Sequence, residues 1–263
     1  MSSDIKLVDS HAHLEEMEDL DRVIARAREC GVVVIIAVGS DYESNNRTLE
    51  IAEKYQPWVY PALGAHPWDT EAAVASLDRN LQFIEDHLGE IVAIGEVGLD
   101  YHKAVLKRGS KERQKYLLGS LLELARKAGK PALIHSRYAW RDSLTMVREA
   151  KVEKAVFHWY TGPVNVLGDI LSQGYFISAT LAAEYHEEHR RAIKETPLER
   201  LLLETDSPVV YRQGMEVAYK AEPADMVRSL HAVAQLKALE PGIVAEKTTK
   251  NALGFYQINL PTR

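Results

Sequence analysis

Short apolar runs rich in β-branched residues recur along the chain at 5–8, 32–38, 58–63, 91–94, 132–134, 155–157, 175–178 and 201–203. Each is too short for a stable helix and reads as a buried strand. Between them the apolar residues fall at helical spacing: Met17, Leu20, Ile24 and Ala27 in one stretch, Leu77, Leu81, Ile84 and Leu88 in another, Leu117, Leu118, Leu121, Leu122 and Ala125 in a third. Strand alternating with helix predicts a parallel sheet, because parallel neighbours need a crossover long enough to hold a helix. Gly31, Gly89, Gly129 and Gly174 each follow a helical stretch and precede a strand, where a left-handed residue ends a helix without a Cβ clash. Eight strands with no linker, repeat or low-complexity segment between them suit a closed (β/α)₈ TIM barrel better than an open sheet with two edges. The expected organisation is one α/β domain over residues 1–263, with two further helices in 223–257, one opening at Pro223 and one after Pro241-Gly242.

Composition changes this picture little. With 46% hydrophobic and 27% charged residues the chain is an ordinary globular one, which excludes disorder, collagen and coiled coil. A formal charge of -6 removes any whole-molecule basic field for nucleic acid or anionic lipid and leaves only a local basic patch. Cys30 is the only cysteine, so neither an internal disulfide nor a Cys-rich zinc site can form, and a reducing, cytoplasmic setting fits. The longest apolar run, 32–38, is far short of the ~20 residues of a membrane helix, and residues 1–10 lack the pattern of a signal peptide. Nothing in the sequence indicates an obligate protein partner.

In barrels of this kind the chemistry sits at the C-terminal ends of the strands, and those ends carry metal-ligand residue types. Strand one runs into Asp9-Ser10-His11-Ala12-His13, where the period of two puts His11 and His13 on one side. Strand three ends at Gly64-Ala65-His66-Pro67, strand four at Gly95-Glu96-Val97-Gly98-Leu99-Asp100, and strand five at His135-Ser136-Arg137. Strand six ends at His158-Trp159-Tyr160 and strand eight at Glu204-Thr205-Asp206. The other histidines, His87, His186, His189 and His231 among them, read as scattered over helices and solvent faces. A ring of imidazole and carboxylate without thiolate is what a borderline divalent ion takes. Six donors, His11, His13, Glu96, His135, His158 and Asp206, exceed one open tetrahedral site, so two ions are expected with Glu96 as the bidentate bridge. His11, His13 and Asp206 would complete one site, His135 and His158 the other. Such a pair acidifies a shared water and clamps the attacking and leaving oxygens.

At these residues the chain resembles the TatD family of metal-dependent hydrolases, within the amidohydrolase superfamily of barrels. The segments that carry the likeness run from 9–13 through 64–67, 94–100, 135–137 and 204–208 to Thr249-Lys250-Asn251. The resemblance implies a divalent-metal hydrolase, described as a cytoplasmic deoxyribonuclease or 3′ to 5′ exonuclease, with magnesium as the commonly quoted cofactor. It carries the six donor positions over as metal residues, and Asp206 also as the base that accepts a proton from the attacking water. Two stretches depart from the family. Where a Cys-Phe-Ser-Gly run is common, this chain has Trp159-Tyr160-Thr161-Gly162, which changes the pocket lining. Where an Arg-Asn-Glu-Pro element is common, it has Lys220-Ala221-Glu222-Pro223 after Tyr219, which removes an Arg from phosphate recognition.

Around the ring, Glu204 reads as an acceptor that orients a ligand histidine, or as a buried carboxylate paired with Arg. His66 either reaches a substrate phosphate or leaving group or hydrogen-bonds a loop. Asp9 reads as support for the His-X-His segment, or else as a contact for a metal-bound water. Arg137 offers a planar fork to phosphate, or else a salt bridge to Asp100 or Glu204. Lys103, Lys107 and Arg108 form a basic loop on the catalytic face, and Tyr101, Trp159, Tyr160, Trp140 and Trp68 are candidates for base stacking or for rim packing. The leading expectation is phosphodiester hydrolysis on DNA with two divalent ions, Mg²⁺, Mn²⁺ or Zn²⁺. The alternatives are hydrolysis of a carboxylic ester or amide, such as an aminoacyl-tRNA ester, and a non-catalytic metal scaffold.

Overall fold

The computed structural model describes residues 5–260 apart from 213, 215 and 216, so the outermost residues of the expected domain lie outside the described residues. All eight expected strands are present: β1 Leu7–Ala12, β2 Val32–Val38, β3 Val59–Ala65, β4 Ala93–Asp100, β5 Ala132–Arg137, β6 Ala155–Phe157, β7 Phe176–Ala179 and β8 Leu201–Leu203. They are parallel and ordered β1 to β8 in one sheet. The helices are α1 Leu20–Glu29, α2 Tyr42–Lys54, α3 Thr70–Ala75, α4 Leu77–Asp86, α5 Lys111–Ala128, α6 Trp140–Glu149, α7 Val164–Ser172, α8 Glu187–Glu195, α9 Met226–Lys237 and α10 Pro241–Tyr256. A 3₁₀ turn at Pro223–Asp225 leads into α9, so both helices of the tail form where the prolines announce them.

The sheet closes on itself just beyond β8. The Asp206 N–H donates to the His11 carbonyl at 3.0 Å and the His13 N–H to the Ser207 carbonyl at 2.7 Å. Asp9 reinforces the seam, accepting the Thr205 N–H at 2.9 Å and the Thr205 hydroxyl at 2.6 Å. Asp9 is therefore structural, and its burial pushes the carboxyl up to about 8 against these hydrogen bonds. Three of the expected metal donors thus sit on the seam that makes the barrel a barrel.

Two apolar clusters share the strands. Leu7, Ile35, Leu63 and Ile134 pack outward against Ile24, Leu117, Leu121 and their neighbours on the helices. Val34, Ile36 and Val38, alternating with that set along β2, join Ala62, Leu133 and Leu202 in a second cluster completed by Phe255 and Tyr256. Because Val92 and Phe176, at the beginnings of strands, pack against the same cluster, the end of α10 closes the N-terminal mouth. The C-terminal mouth is left for polar side chains.

Several boundaries differ from expectation. β1, β3, β4 and β5 run several residues past their apolar stretches, so His11, Glu96 and His135 lie within strands rather than after them. The polar residues there face the mouth, and hydropathy does not register them as strand. Gly31, Gly129 and Gly174 are left-handed as expected, at φ 87, 63 and 78°, but Gly89 is not. Gly98 is required for a different reason: a Cβ there would stand 1.9 Å from the His135 carbonyl oxygen, so it lets β4 and β5 approach at the site. Among the described residues no helix is long and apolar enough to cross a membrane.

Candidate metal centre at the barrel mouth

The six expected donors converge on Glu96. Its Oε2 lies 3.3 Å from His11 Nε2 and 3.3 Å from His13 Nε2. Its Oε1 lies 2.9 Å from His135 Nδ1 and 2.8 Å from His158 Nε2. Asp206 Oδ1 approaches the first pair, 3.7 Å from His11 and 3.8 Å from His13. Each carboxylate oxygen of Glu96 therefore faces a different histidine pair. Glu96, His11, His158 and Asp206 are buried, and Asp206 takes its place with a left-handed backbone, φ 50°.

The donor set fits a divalent cation. His11 Nε2 and His13 Nε2 face each other at 3.2 Å, and His135 Nδ1 and His158 Nε2 at 3.3 Å, all four also facing carboxylate oxygens. Neutral imidazole nitrogens with nothing else to bind would oppose lone pair to lone pair here, so the cluster demands positive charge at its centre. The far nitrogens bear this out. His135 Nε2 faces Asp100 Oδ2 at 3.1 Å, His158 Nδ1 faces Glu204 Oε1 at 3.4 Å, and His13 Nδ1 faces Glu15 Oε1 at 3.5 Å. A carboxylate behind an imidazole holds the proton on the outer nitrogen and presents the inner lone pair to an ion.

The titration behaviour has the same sign. Burial alone would raise Glu96, but His66, His158 and His11 around it hold its carboxyl well below the usual range. Burial would lower His13 and His158, yet Glu15 and Glu96 lift the first, and Glu96 and Glu204 the second, well above the ordinary imidazole value. His135 is raised too, by Asp100 and Glu96 against burial. Burial raises Asp206. Because the imidazoles hold protons to higher pH than free histidine, an incoming cation must displace them, and affinity falls as pH drops through their raised values. Apparent Mn²⁺ affinity is expected to be at least about tenfold weaker at pH 6 than at pH 8, with proton release on binding. Titration calorimetry in buffers of different ionisation enthalpy checks this, and a pH-independent affinity without proton release would contradict it.

The remaining candidates divide. His66 joins the ring: its Nδ1 accepts the Trp68 N–H at 3.0 Å, which puts its proton on Nε2, 3.4 Å from Glu96 Oε1. Burial lowers it to about 4, so it is neutral at pH 7. The loop contact read from the sequence is present in the Trp68 hydrogen bond, and the other ring nitrogen faces the site. Glu204 stands behind His158 and accepts the Trp159 N–H at 3.1 Å. Arg137 is bound to Asp100, Nε at 2.9 Å and Nη2 at 2.8 Å, the salt-bridge alternative. The Tyr101 hydroxyl donates to Asp142 at 2.7 Å, and its ring lies under the Lys111 ammonium. Trp159 packs on Tyr211 at 5.3 Å between ring centroids. Tyr160 is buried, its hydroxyl donating to the Pro163 carbonyl, and so offers no stacking face. Lys103 is exposed. The 219–223 stretch is structural, with Ala221 buried and Glu222 paired to Arg26.

Sequence reasoning missed Glu15 and gave Asp100 only as a partner for Arg137. It also misplaced His189, which is buried, donating from Nδ1 to the Tyr160 carbonyl and accepting the Thr180 N–H. His189 fastens the loop after β6 to the loop after β7. A polar residue on an amphipathic helix looks solvent-facing until the loops above it are known.

The chain matches the family model described as TatD related DNase over residues 8–257. It is 32% identical to human deoxyribonuclease TATDN3, covering 96% of this chain and 95% of that one. It is 31% identical to a Bacillus subtilis protein described as the uncharacterized metal-dependent hydrolase YabD, covering 96% of this chain and 100% of that one. The crystal structure of YJJV, a TatD homologue from Escherichia coli, superposes with a TM-score of 0.87 at 28% identity, covering 96% of this chain and 98% of that one. On the strength of this full-length likeness, the chain belongs to the TatD family of metal-dependent deoxyribonucleases.

Proposed function

We propose that the chain hydrolyses phosphodiester bonds of DNA with two divalent cations. His11, His13, Glu96 and Asp206 hold one, and Glu96, His135 and His158 hold the other. The split of Glu96, with one oxygen toward each histidine pair, carries this reading. Cations held there supply Lewis-acid polarisation of an ester oxygen and acidify a water at neutral pH. Mixed nitrogen and oxygen donors suit Zn²⁺ or Mn²⁺ by softness, and the carboxylates suit Mg²⁺.

The protein's own groups do the rest. Asp206, a carboxylate made more basic by burial, takes the proton of the attacking water. His66 keeps a neutral Nε2–H aimed into the site and donates it to a phosphoryl oxygen. Glu204, Asp100 and Glu15 hold His158, His135 and His13 in the tautomer that faces inward. Arg137 and the exposed Lys103 supply positive charge for the phosphates, and Trp159 lines the wall. Tyr101 acts indirectly by holding Asp142. The chain works as a single domain, and one thiol with no disulfide partner suits the cytoplasm.

A short end-labelled single-stranded DNA incubated with Mg²⁺ or Mn²⁺ should be degraded, EDTA should stop the reaction, and excess Mn²⁺ should restore it. Intact DNA after incubation with a metal-loaded sample would overturn the reading.

A further inference from the structure

Asp206 stands at φ 50°, a left-handed conformation that persists in a non-glycine residue only where the surroundings fix it. The peptides on both sides of it are pinned. On one side the Asp206 N–H donates to the His11 carbonyl at 3.0 Å, and the carbonyl of that same peptide, belonging to Thr205, accepts the Tyr211 hydroxyl at 2.7 Å. On the other side the Asp206 carbonyl accepts the Val209 N–H at 3.1 Å. Asp9 takes up the Thr205 N–H and hydroxyl. Among the described residues, Tyr211 is thus the side chain that reaches the peptide carrying Asp206.

Tyr211 is buried and comes from outside the barrel sheet. It ends β9, Val210–Tyr211, which pairs antiparallel with β10, Tyr219–Lys220, so that Tyr211 and Tyr219 stand opposite each other. The Tyr219 ring stacks on Tyr211 with centroids 5.9 Å apart, and Trp159, just past the ligand His158, packs on it at 5.3 Å. The Arg228 guanidinium of α9 lies 3.9 Å over Tyr219 and is bound through Nε and Nη2 to Glu184, at 2.8 and 2.7 Å. Segments remote in sequence therefore clamp one ring and leave its hydroxyl a single direction. Burial pushes that hydroxyl well above its ordinary value, so it stays a donor at neutral pH.

We propose that Tyr211 is a positioning residue for the reaction: its hydroxyl, braced by the ribbon, fixes the peptide plane between Thr205 and Asp206 and so aims the Asp206 carboxylate at His11 and His13. The assignment rests on Asp206 acting as the base. A carboxylate that must take a proton in the transition state tolerates little drift, because rates fall steeply when reacting groups are misplaced. Tyr211→Phe would leave the Thr205 carbonyl buried without its donor, and the peptide would be free to turn.

A double-mutant cycle separates positioning from bulk stability. Tyr211→Phe should lower kcat on single-stranded DNA by about tenfold, the scale of one buried carbonyl left unpaired, with KM changed less than about twofold. Titrated with Mn²⁺ in the metal-free state, it should also bind about tenfold more weakly, as when a group behind a metal donor is lost. Tyr175→Phe is the matched control, since it removes a buried hydroxyl that donates to the Val152 carbonyl at 2.9 Å, at the opposite end of the barrel. Both variants should lose about 2 to 4 °C of melting temperature, yet Tyr175→Phe should keep kcat and Mn²⁺ affinity. In the Asp206→Asn chain, followed in single turnovers, Tyr211→Phe should add less than about a twofold loss. The proposal fails if Tyr211→Phe turns over as the unaltered chain does, if Tyr175→Phe loses as much kcat, or if Tyr211→Phe costs the same factor in the Asp206→Asn chain. A loss of about a hundredfold in Asp206→Asn beside a normal kcat in Tyr211→Phe would remove the positioning role alone. A normal kcat in Asp206→Asn would remove the base on which it rests.

Discussion

Glu96→Gln is expected to lower kcat/KM on DNA by about a thousandfold and to leave the chain with fewer bound ions. Glutamine keeps the shape of the side chain but replaces one carboxylate oxygen with an amide that donates hydrogen bonds. One oxygen cannot serve both histidine pairs, which now face Oε2 at 3.3 Å and Oε1 at 2.8 to 2.9 Å. The negative charge that draws His13, His135 and His158 toward protonation, and equally toward a cation, is also gone. Losing charge stabilisation of about 4 kcal/mol, at 1.4 kcal/mol per tenfold, gives the expected figure. Steady-state cleavage of single-stranded DNA, with metal content measured after gel filtration, checks both parts. A variant within tenfold of the unaltered rate would contradict the role given to Glu96.

Asp206→Asn is the second large effect, and it separates chemistry from folding. Asp206 sits at φ 50°, a region that most residues avoid and that Asn tolerates about as well as Asp. Its backbone N–H also closes the barrel seam on His11, a bond the substitution keeps. The amide retains an oxygen beside His11 and His13 but cannot accept a proton. The expected loss in kcat is therefore about 10²- to 10⁴-fold, the contribution of a positioned general base. Thermal stability should change little. A kcat close to that of the unaltered chain would remove Asp206 from the base role, whereas a large drop in melting temperature would show that its main work is at the seam.

The donor ring was legible because each of its members stands at or just past an apolar run, and a barrel brings all strand ends to one mouth. His11, His13, Glu96, His135, His158 and Asp206 do meet there. What stayed hidden depends on partners remote in sequence. Asp100 stands behind His135 and holds Arg137, and Tyr101 reaches Asp142 across 41 residues. Such pairings are chosen by which loops meet above the strands, and local patterns of hydrophobicity carry no trace of that. Glu15 is hidden for a related reason. Two residues from His13, it looks like a surface charge at the start of a helix, yet it is buried with its carboxylate facing His13 Nδ1. The strands β1, β3, β4 and β5 run past the apolar stretches that mark them, because polar side chains lining a mouth are part of the sheet without being part of the apolar core.

If Glu96 joins two cations as proposed, Mn²⁺ reports on the pair directly. Adding Mn²⁺ to metal-free chain and recording electron paramagnetic resonance spectra gives both the stoichiometry and the coupling between ions. Two ions per chain are expected, with the exchange-coupled spectrum of a pair roughly 3.5 to 4 Å apart. One ion per chain, or two that give only independent signals, would contradict the proposed pair.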